Sequence, residues 1–396
     1  ATAARKGNRK VSLTVYGRIN TSIMWHDSDE SDDYRSDKLT VRQNDNSPTV
    51  FGFKGEAQIR PDLTAGYWME IWVQEDFSTR SHEVGNAFRI RQNHVYLDHK
   101  TFGRITLGQA STINDGLYEI NLANTVKAPG QGNEEMDLIG GAYKSTFDDP
   151  FDGGRAQGVF YRTPSLAGFV LGVGYFHDRQ TKKDDGLGTV DEYDTLEGWE
   201  VGLRYAGEFN GVRLAAGIGY REVDNNDAKT NTIDDQIWLG SASVMHMPTG
   251  LFLSGGYANT DSEYASRERS GWWVMAGIEK NWFGIGNTTL YGEYSAVDWK
   301  NEYADTYVRR HSDGAIEFSM GDPTLDRLDG AFWGVGLVQT IDSAATDLYI
   351  NFRRYELDGT ENGVNCVIKP HPSDTCHLVG DDRDANVVTA GMRIQF

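Results

Sequence analysis

The sequence predicts an all-β chain, a transmembrane antiparallel β-barrel of 16 strands, and three observations carry that prediction. Apolar and polar residues alternate with a period of two, in segments of about ten residues, as strands do when one face meets lipid and the other meets water. The connections between segments alternate between short turns and long polar stretches. No apolar run approaches the roughly 18 residues that a spanning helix needs.

The first segment places Val11, Leu13, Val15, Gly17 and Ile19 on one face and Ser12, Thr14, Tyr16, Arg18 and Asn20 on the other. Further strands are expected near 49–59, 64–77, 87–99, 104–111, 156–163, 168–178, 195–209 and 212–224. The series continues near 235–246, 251–264, 270–282, 288–300, 328–341 and 346–357. In the last segment Val388, Ala390, Met392, Ile394 and Phe396 oppose Thr389, Gly391, Arg393 and Gln395. An even strand number brings both ends of an antiparallel barrel to one side, where they pair and leave no open edge in lipid.

Short turns at Arg60–Leu63, Asn210–Gly211, Pro248–Gly250 and Asp342–Ala345 interleave with long stretches near 26–48, 112–155, 178–194, 301–327 and 358–385. Short turns face the periplasm in such barrels and long loops face outward. Aromatic rings bracket aliphatic residues in the outward set Trp199, Val201, Leu203 and Tyr205, the pattern of an interfacial girdle, while Glu200 and Arg204 point to water.

Composition agrees with one domain over residues 1–396: 45 glycines, nine prolines and 12% aromatic residues suit strands and turns, and no linker interrupts them. A formal net charge of −20 repels a phosphate backbone, so no nucleic-acid partner is expected. Residues 1–10 lack the apolar core of a secretion signal, and Ala-Thr-Ala-Ala reads as what remains after a signal is removed. Cys366 and Cys376 share one polar segment with no zinc-type spacing; a loop-stapling disulfide or two unpaired thiols both fit. The acidic run Asp27–Asp33 reads as a solvated surface, with bound calcium, or bridging of lipopolysaccharide through divalent ions, as the alternative. Nine scattered histidines and the absence of GxSxG give no catalytic residues, and no cofactor is expected.

Several stretches resemble the general diffusion porins of Gram-negative bacteria. They are Tyr16-Gly17-Arg18, Phe51-Gly-Phe-Lys-Gly-Glu56 with the turn Pro61-Asp62-Leu63-Thr64, Phe102-Gly-Arg-Ile-Thr-Leu-Gly108, Gly158-Val-Phe-Tyr-Arg-Thr-Pro164 and the terminal Phe396, which is similar to that family's barrel-assembly signal. The resemblance implies an outer-membrane homotrimer, inserted by the barrel-assembly machinery among lipid and lipopolysaccharide, through which small hydrophilic solutes and ions diffuse. It also implies an inward-folded constriction loop over about 112–155, with acidic residues Asp115, Glu119, Glu134, Glu135 and Asp137 facing a basic wall of Arg18, Lys54, Arg91 and Arg155.

Gly116–Ala123 is expected to form a helical turn or two within that loop. Val50 and Gln109 stand where the family commonly has arginines, which thins the basic wall and favours a moderate preference for cations. The strand 87–99 is ambiguous, because Arg89, Arg91, Asn93, Val95 and Leu97 share one face. A sugar-type channel with an aromatic track is the alternative, drawing on Trp25, Trp68, Trp72, Trp238, Trp273 and Trp299; an outer-membrane barrel enzyme is a further one from another class.

Overall fold

The computed structural model describes residues 11–28, 39–44, 47–73, 88–127, 129–132, 139, 146–147, 151, 153–181, 193–227, 231–262, 267–301, 307–310, 316–319, 325–361 and 383–396. Within them antiparallel strands close into a single barrel. The strands are β1 (Thr14–Ser28), β2 in two segments (Leu39–Gln43 and Val50–Arg60), β3 (Leu63–Val73), β4 (Phe88–His99), β5 (Gly103–Ser111), β6 (Arg155–Arg162), β7 (Phe169–Thr181) and β8 (Tyr193–Phe209). They continue as β9 (Val212–Asp227), β10 (Asn231–His246), β11 (Leu251–Ser262), β12 (Arg267–Lys280), β13 (Thr288–Asn301), β14 (Leu325–Ile341), β15 (Thr346–Glu361) and β16 (Arg383–Gln395). Both segments of β2 pair with β1, so they count as one interrupted strand and the barrel has the expected 16. Closure comes from β1 pairing with β16, from Arg18 opposite Gln395 to Ser28 opposite Ala385. A separate two-stranded ribbon, Tyr307–Arg310 with Ile316–Ser319, lies in the β13–β14 connection that the sequence marks only as a loop.

The alternation read from the sequence is the inside–outside pattern of the wall. On β1, Val15, Ile19, Ile23 and Trp25 are exposed on the outer surface, while Asn20, Ser22, Met24 and His26 are buried toward the interior. The usual rule is inverted because the outer solvent is hydrocarbon, which costs an apolar side chain nothing. The hairpin turns use left-handed backbone where the sequence places them: Asn210 at φ 49° and Gly211 at φ 78° join β8 to β9 with the twist that two-residue turns require. At the β2–β3 turn slight desolvation acts upward on Asp62, but a backbone hydrogen bond, Arg60 (3.3 Å) and His99 (3.0 Å) outweigh it and hold the carboxyl below its usual range.

Two irregularities depart from the sequence reading. The stretch 26–48, read as loop, contains the first segment of β2, whose pairing with β1 ends at Gln43 and resumes in the second segment at Val50, an excursion opposite Ile19 and Asn20. Asn20 holds that excursion by donating from Nδ2 to the carbonyls of Asn44 and Ser47, both at 3.1 Å, and Tyr349 donates to Asn20 Oδ1 at 2.7 Å. The second is a β-bulge in β4: Glu70 pairs with Gln92 and Ile71 with Ile90, leaving Arg91 as the extra residue. This bulge resolves the ambiguous face. Val95 and Leu97 point outward, and after the bulge so does Ile90, while Arg91 is released from the alternation and turned to Glu70 on the inner wall.

Candidate functional site

After Ser111 the chain turns into the barrel and runs along its inner wall, held by groups that wall strands place there. The buried carboxylate of Glu200 on β8 accepts the backbone N–H groups of Ile113 and Asn114. Arg204, four residues on and therefore on the same face, donates to the carbonyls of Ile113 and Asp115, and Arg162 donates to Thr112 O at 2.9 Å. Beyond Arg204 the wall is glycine, and a Cβ on Gly217 or Gly219 would collide with Leu117 and Asn114.

Farther along, the N–H groups of Ile120 and Leu122 donate to Ser241 Oγ (2.9 Å) and Ser243 Oγ (3.0 Å), and the Asn124 N–H donates to Glu279 at 2.7 Å. Arg353 reaches Gln131 O, Arg269 reaches Thr146 O and Arg221 reaches Gly153 O, at 2.5, 2.6 and 2.7 Å. These wall partners explain a correction: Gly116–Ala123 forms no helical turn, because the N–H groups of Ile120 and Leu122 bond outward to serines of β10 instead of to carbonyls four residues earlier. Aromatic packing completes the seam. Tyr118 lies between Phe151 and Trp273, and Phe147 lies between Phe332 and Tyr355.

Beside this docked loop, touching it at Asp115 and Asn124, stands an arc of guanidinium groups. Arg18 on β1, Arg91 on β4, Arg155 on β6 and Arg393 on β16 are close enough that their charges act on one another. Each is fixed by a partner. Arg91 pairs with Glu70 at 2.9 Å, and Tyr16 donates to the other Glu70 oxygen at 2.7 Å. Arg18 donates to Pro48 O (2.8 Å) on the β2 excursion, and Arg155 lies 3.8 Å from Asp115 on the loop. Arg393 bonds Asp347 at 2.7 Å, Ser47 Oγ at 3.0 Å and Asn124 Oδ1 at 3.0 Å, and so ties β15, the β2 excursion and the loop together.

The expected site residues fall as follows. Arg18, Arg91 and Arg155 come together in the arc, and Lys54 lies on the same inner face nearer the short turns, 5.2 Å over the Tyr16 ring. Asp115 faces the arc from the loop, and Glu119 lies on the loop near Gly116. Glu134, Glu135, Asp137, Cys366 and Cys376 lie outside the described residues. Phe396 exchanges backbone hydrogen bonds with Gly17 at 2.9 and 3.0 Å, which joins the chain's last residue to its first strand. Val50 does occupy the inner face beside Arg18, but Arg393 adds a guanidinium that the motifs did not identify; its place on the water face of the final strand was the available signal. The six tryptophans do not form one track. Trp25 and Trp238 are exposed on the outer surface, Trp273 is buried beneath the loop, and Trp299 packs against a buried cluster.

A family model described as Gram-negative porin matches residues 1–393. The chain belongs to the Gram-negative porin family. This porin is 24% identical over 269 residues to outer membrane protein F of Serratia marcescens, covering 65% of this chain and 61% of that protein. It is 25% identical over 258 residues to outer membrane porin F of Salmonella typhimurium, covering 65% and 62%. These matches span less than two thirds of the relatives' own length. Among solved structures, the anion-selective porin from Comamonas acidovorans aligns with a TM-score of 0.60 at 16% identity, over 98% of this chain and 100% of the other. Salmonella typhi OmpF in complex with daunomycin aligns with a TM-score of 0.56 at 18% identity, over 98% and 99%. Both share the barrel fold, and the family places this porin in the bacterial outer membrane.

Proposed function

We propose that this porin is a passive, water-filled channel for small hydrophilic solutes and ions, moderately cation-preferring, and that it catalyses no reaction. The observation that carries the reading is the polypeptide bound along one half of the inner wall, with Asp115 facing the guanidinium arc of Arg18, Arg91, Arg155 and Arg393. Fixed carboxylates and guanidiniums lining one narrow aqueous passage produce a local field, which orients dipolar solutes and disfavours apolar ones. Glu70 and Asp347 already offset part of the arc, and the loop carries Glu119, Glu134, Glu135 and Asp137 besides Asp115 in a chain of net charge −20. That balance favours cations moderately.

The porin acts as a homotrimer, packing through the apolar outer face of β1–β5, where Ile19, Ile23, Val41, Ile90 and Leu97 are exposed. Lipopolysaccharide surrounds it, the barrel-assembly machinery inserts it through the Phe396 end, and a Cys366–Cys376 disulfide closes its last external loop. Calcium bound by the Asp27–Asp33 run is the alternative to a simply solvated surface. Reversal potentials across a potassium chloride gradient, combined with liposome swelling in neutral solutes of increasing size, test the reading. A small potential of cation sign and swelling that falls steeply with solute size support it; no swelling with any solute refutes it.

A further inference from the structure

Between the root of the constriction loop and the short turns, the inner wall opens into a cavity of about 510 Å3 lined by Trp68, Gln92, His94, Arg104, Ser111 and Arg162. It adjoins a row of rings that crosses the wall from strand to strand. Tyr16 and Trp68 have centroids 6.3 Å apart, Trp68 and His94 5.7 Å, and His94 and Tyr96 6.4 Å. A cation caps each end: Lys54 sits over Tyr16, and Arg104 sits 4.2 Å over Tyr96. None of these rings is sealed in a core, which distinguishes the row from the aromatic seam under the loop.

The polar groups of the cavity leave donors open. Arg162 uses Nη2 on the carbonyls of Thr112 and Ser111, and no described residue accepts from its Nε or Nη1. Arg104 places Nε and Nη2 on Asp98 and leaves Nη1. The His94 ring is oriented by Nδ1 at 3.3 Å from Gln109 O, which turns its other edge away from the strand. Among the described residues the lining carries Arg104, Arg162 and Lys100 against the single carboxylate of Asp98, apart from His99, which pairs with Asp62 outside it. The remainder is ring face and aliphatic carbon, including Pro164 and Val170.

We infer that this cavity is a binding subsite for small aromatic carboxylates, beneath the constriction on the periplasmic side. The ligand's carboxylate accepts from the Nη1 groups that Arg162 and Arg104 leave open, and its ring lies against Trp68 and His94. The inference rests on the diffusion-channel reading and adds a class of solute to it. The chemistry selects both halves of the ligand. Two guanidinium donors answer the two oxygens of a carboxylate with charge-assisted hydrogen bonds, whereas a compact inorganic anion would leave the ring faces in water. A neutral sugar would leave the local positive charge unanswered.

Titration calorimetry on the intact detergent-solubilised protein reads the site irrespective of conduction, with sodium benzoate, sodium cyclohexanecarboxylate and sodium acetate as probes. Benzoate is expected to bind, cyclohexanecarboxylate about fivefold more weakly for want of ring stacking, and acetate not measurably. Trp68→Leu lowers benzoate affinity by about the same factor, and Arg162→Gln abolishes it. Because Arg162 also holds the loop root, His94→Leu, whose ring contacts Gln109 O and not the loop, serves as an independent variant expected to weaken benzoate. Equal binding of benzoate and cyclohexanecarboxylate, or full benzoate affinity in both Trp68→Leu and His94→Leu, overturns the inference. Absence of ion-conducting steps in planar bilayers with benzoate binding intact would instead overturn the diffusion-channel reading.

Discussion

Arg353→Met isolates what the inner wall does for the loop. Arg353 and Glu293 form a two-point ion pair, Nε to Oε1 at 2.8 Å and Nη2 to Oε2 at 3.0 Å, with side chains only 1% and 2% exposed. The same guanidinium donates to Gln131 O on the loop and lies 4.7 Å over the Phe332 ring. Removing it strands a carboxylate away from water, which costs about 3–5 kcal/mol for a buried pair. Glu293→Leu should cost a similar amount for the opposite reason. The double variant leaves no orphaned charge and loses chiefly the bond to Gln131, about 1.5–3 kcal/mol for a charged donor. Unfolding in urea, followed by tryptophan fluorescence in detergent micelles, should therefore give a double-variant loss well below the sum of the two single losses. Additive losses would refute the argument that the pair is coupled and desolvated.

Replacing Asp115 with Asn should move the zero-current potential toward anions, and Arg91→Gln should move it toward cations, each changing the permeability ratio roughly 1.5- to 2-fold for one screened charge about a Debye length from the path. An unheated sample on a denaturing gel should run as a trimer that boiling converts to monomer; one monomer-sized band in both lanes contradicts trimer packing through β1–β5. Thiol labelling of the denatured, unreduced protein should leave Cys366 and Cys376 unmodified, and two labelled thiols would exclude the disulfide.

The wall was legible because its physics is local. In β16 each residue meets lipid or the interior according to parity alone, so Val388, Ala390 and Met392 separate from Thr389 and Arg393 without knowledge of any partner strand. The turn at Asn210–Gly211 is equally local, since its backbone angles depend on those two residues. What the sequence concealed depends on distant partners. The β2 excursion is held at Asn44 and Ser47 by Asn20, which Tyr349 orients from more than 300 positions away. Arg91 reaches the inner face through a bulge, and a bulge erases the periodicity that would reveal it. Glu200 and Arg204 read as water-facing, which is the correct face, but their engagement of the backbone at Ile113 and Asp115 follows only once the loop is folded inward.

A barrel narrowed by a docked loop and lined beside it by an arginine arc should conduct as a narrow column of electrolyte. Single-channel conductance of the reconstituted porin, measured over a range of potassium chloride concentrations, tests this most directly. The account predicts stepwise openings whose conductance rises nearly in proportion to the bulk conductivity of the salt at high concentration, where fixed charges are screened within about 3 Å. Conductance that saturates at low salt, or no steps at any concentration, would contradict a water-filled diffusion channel.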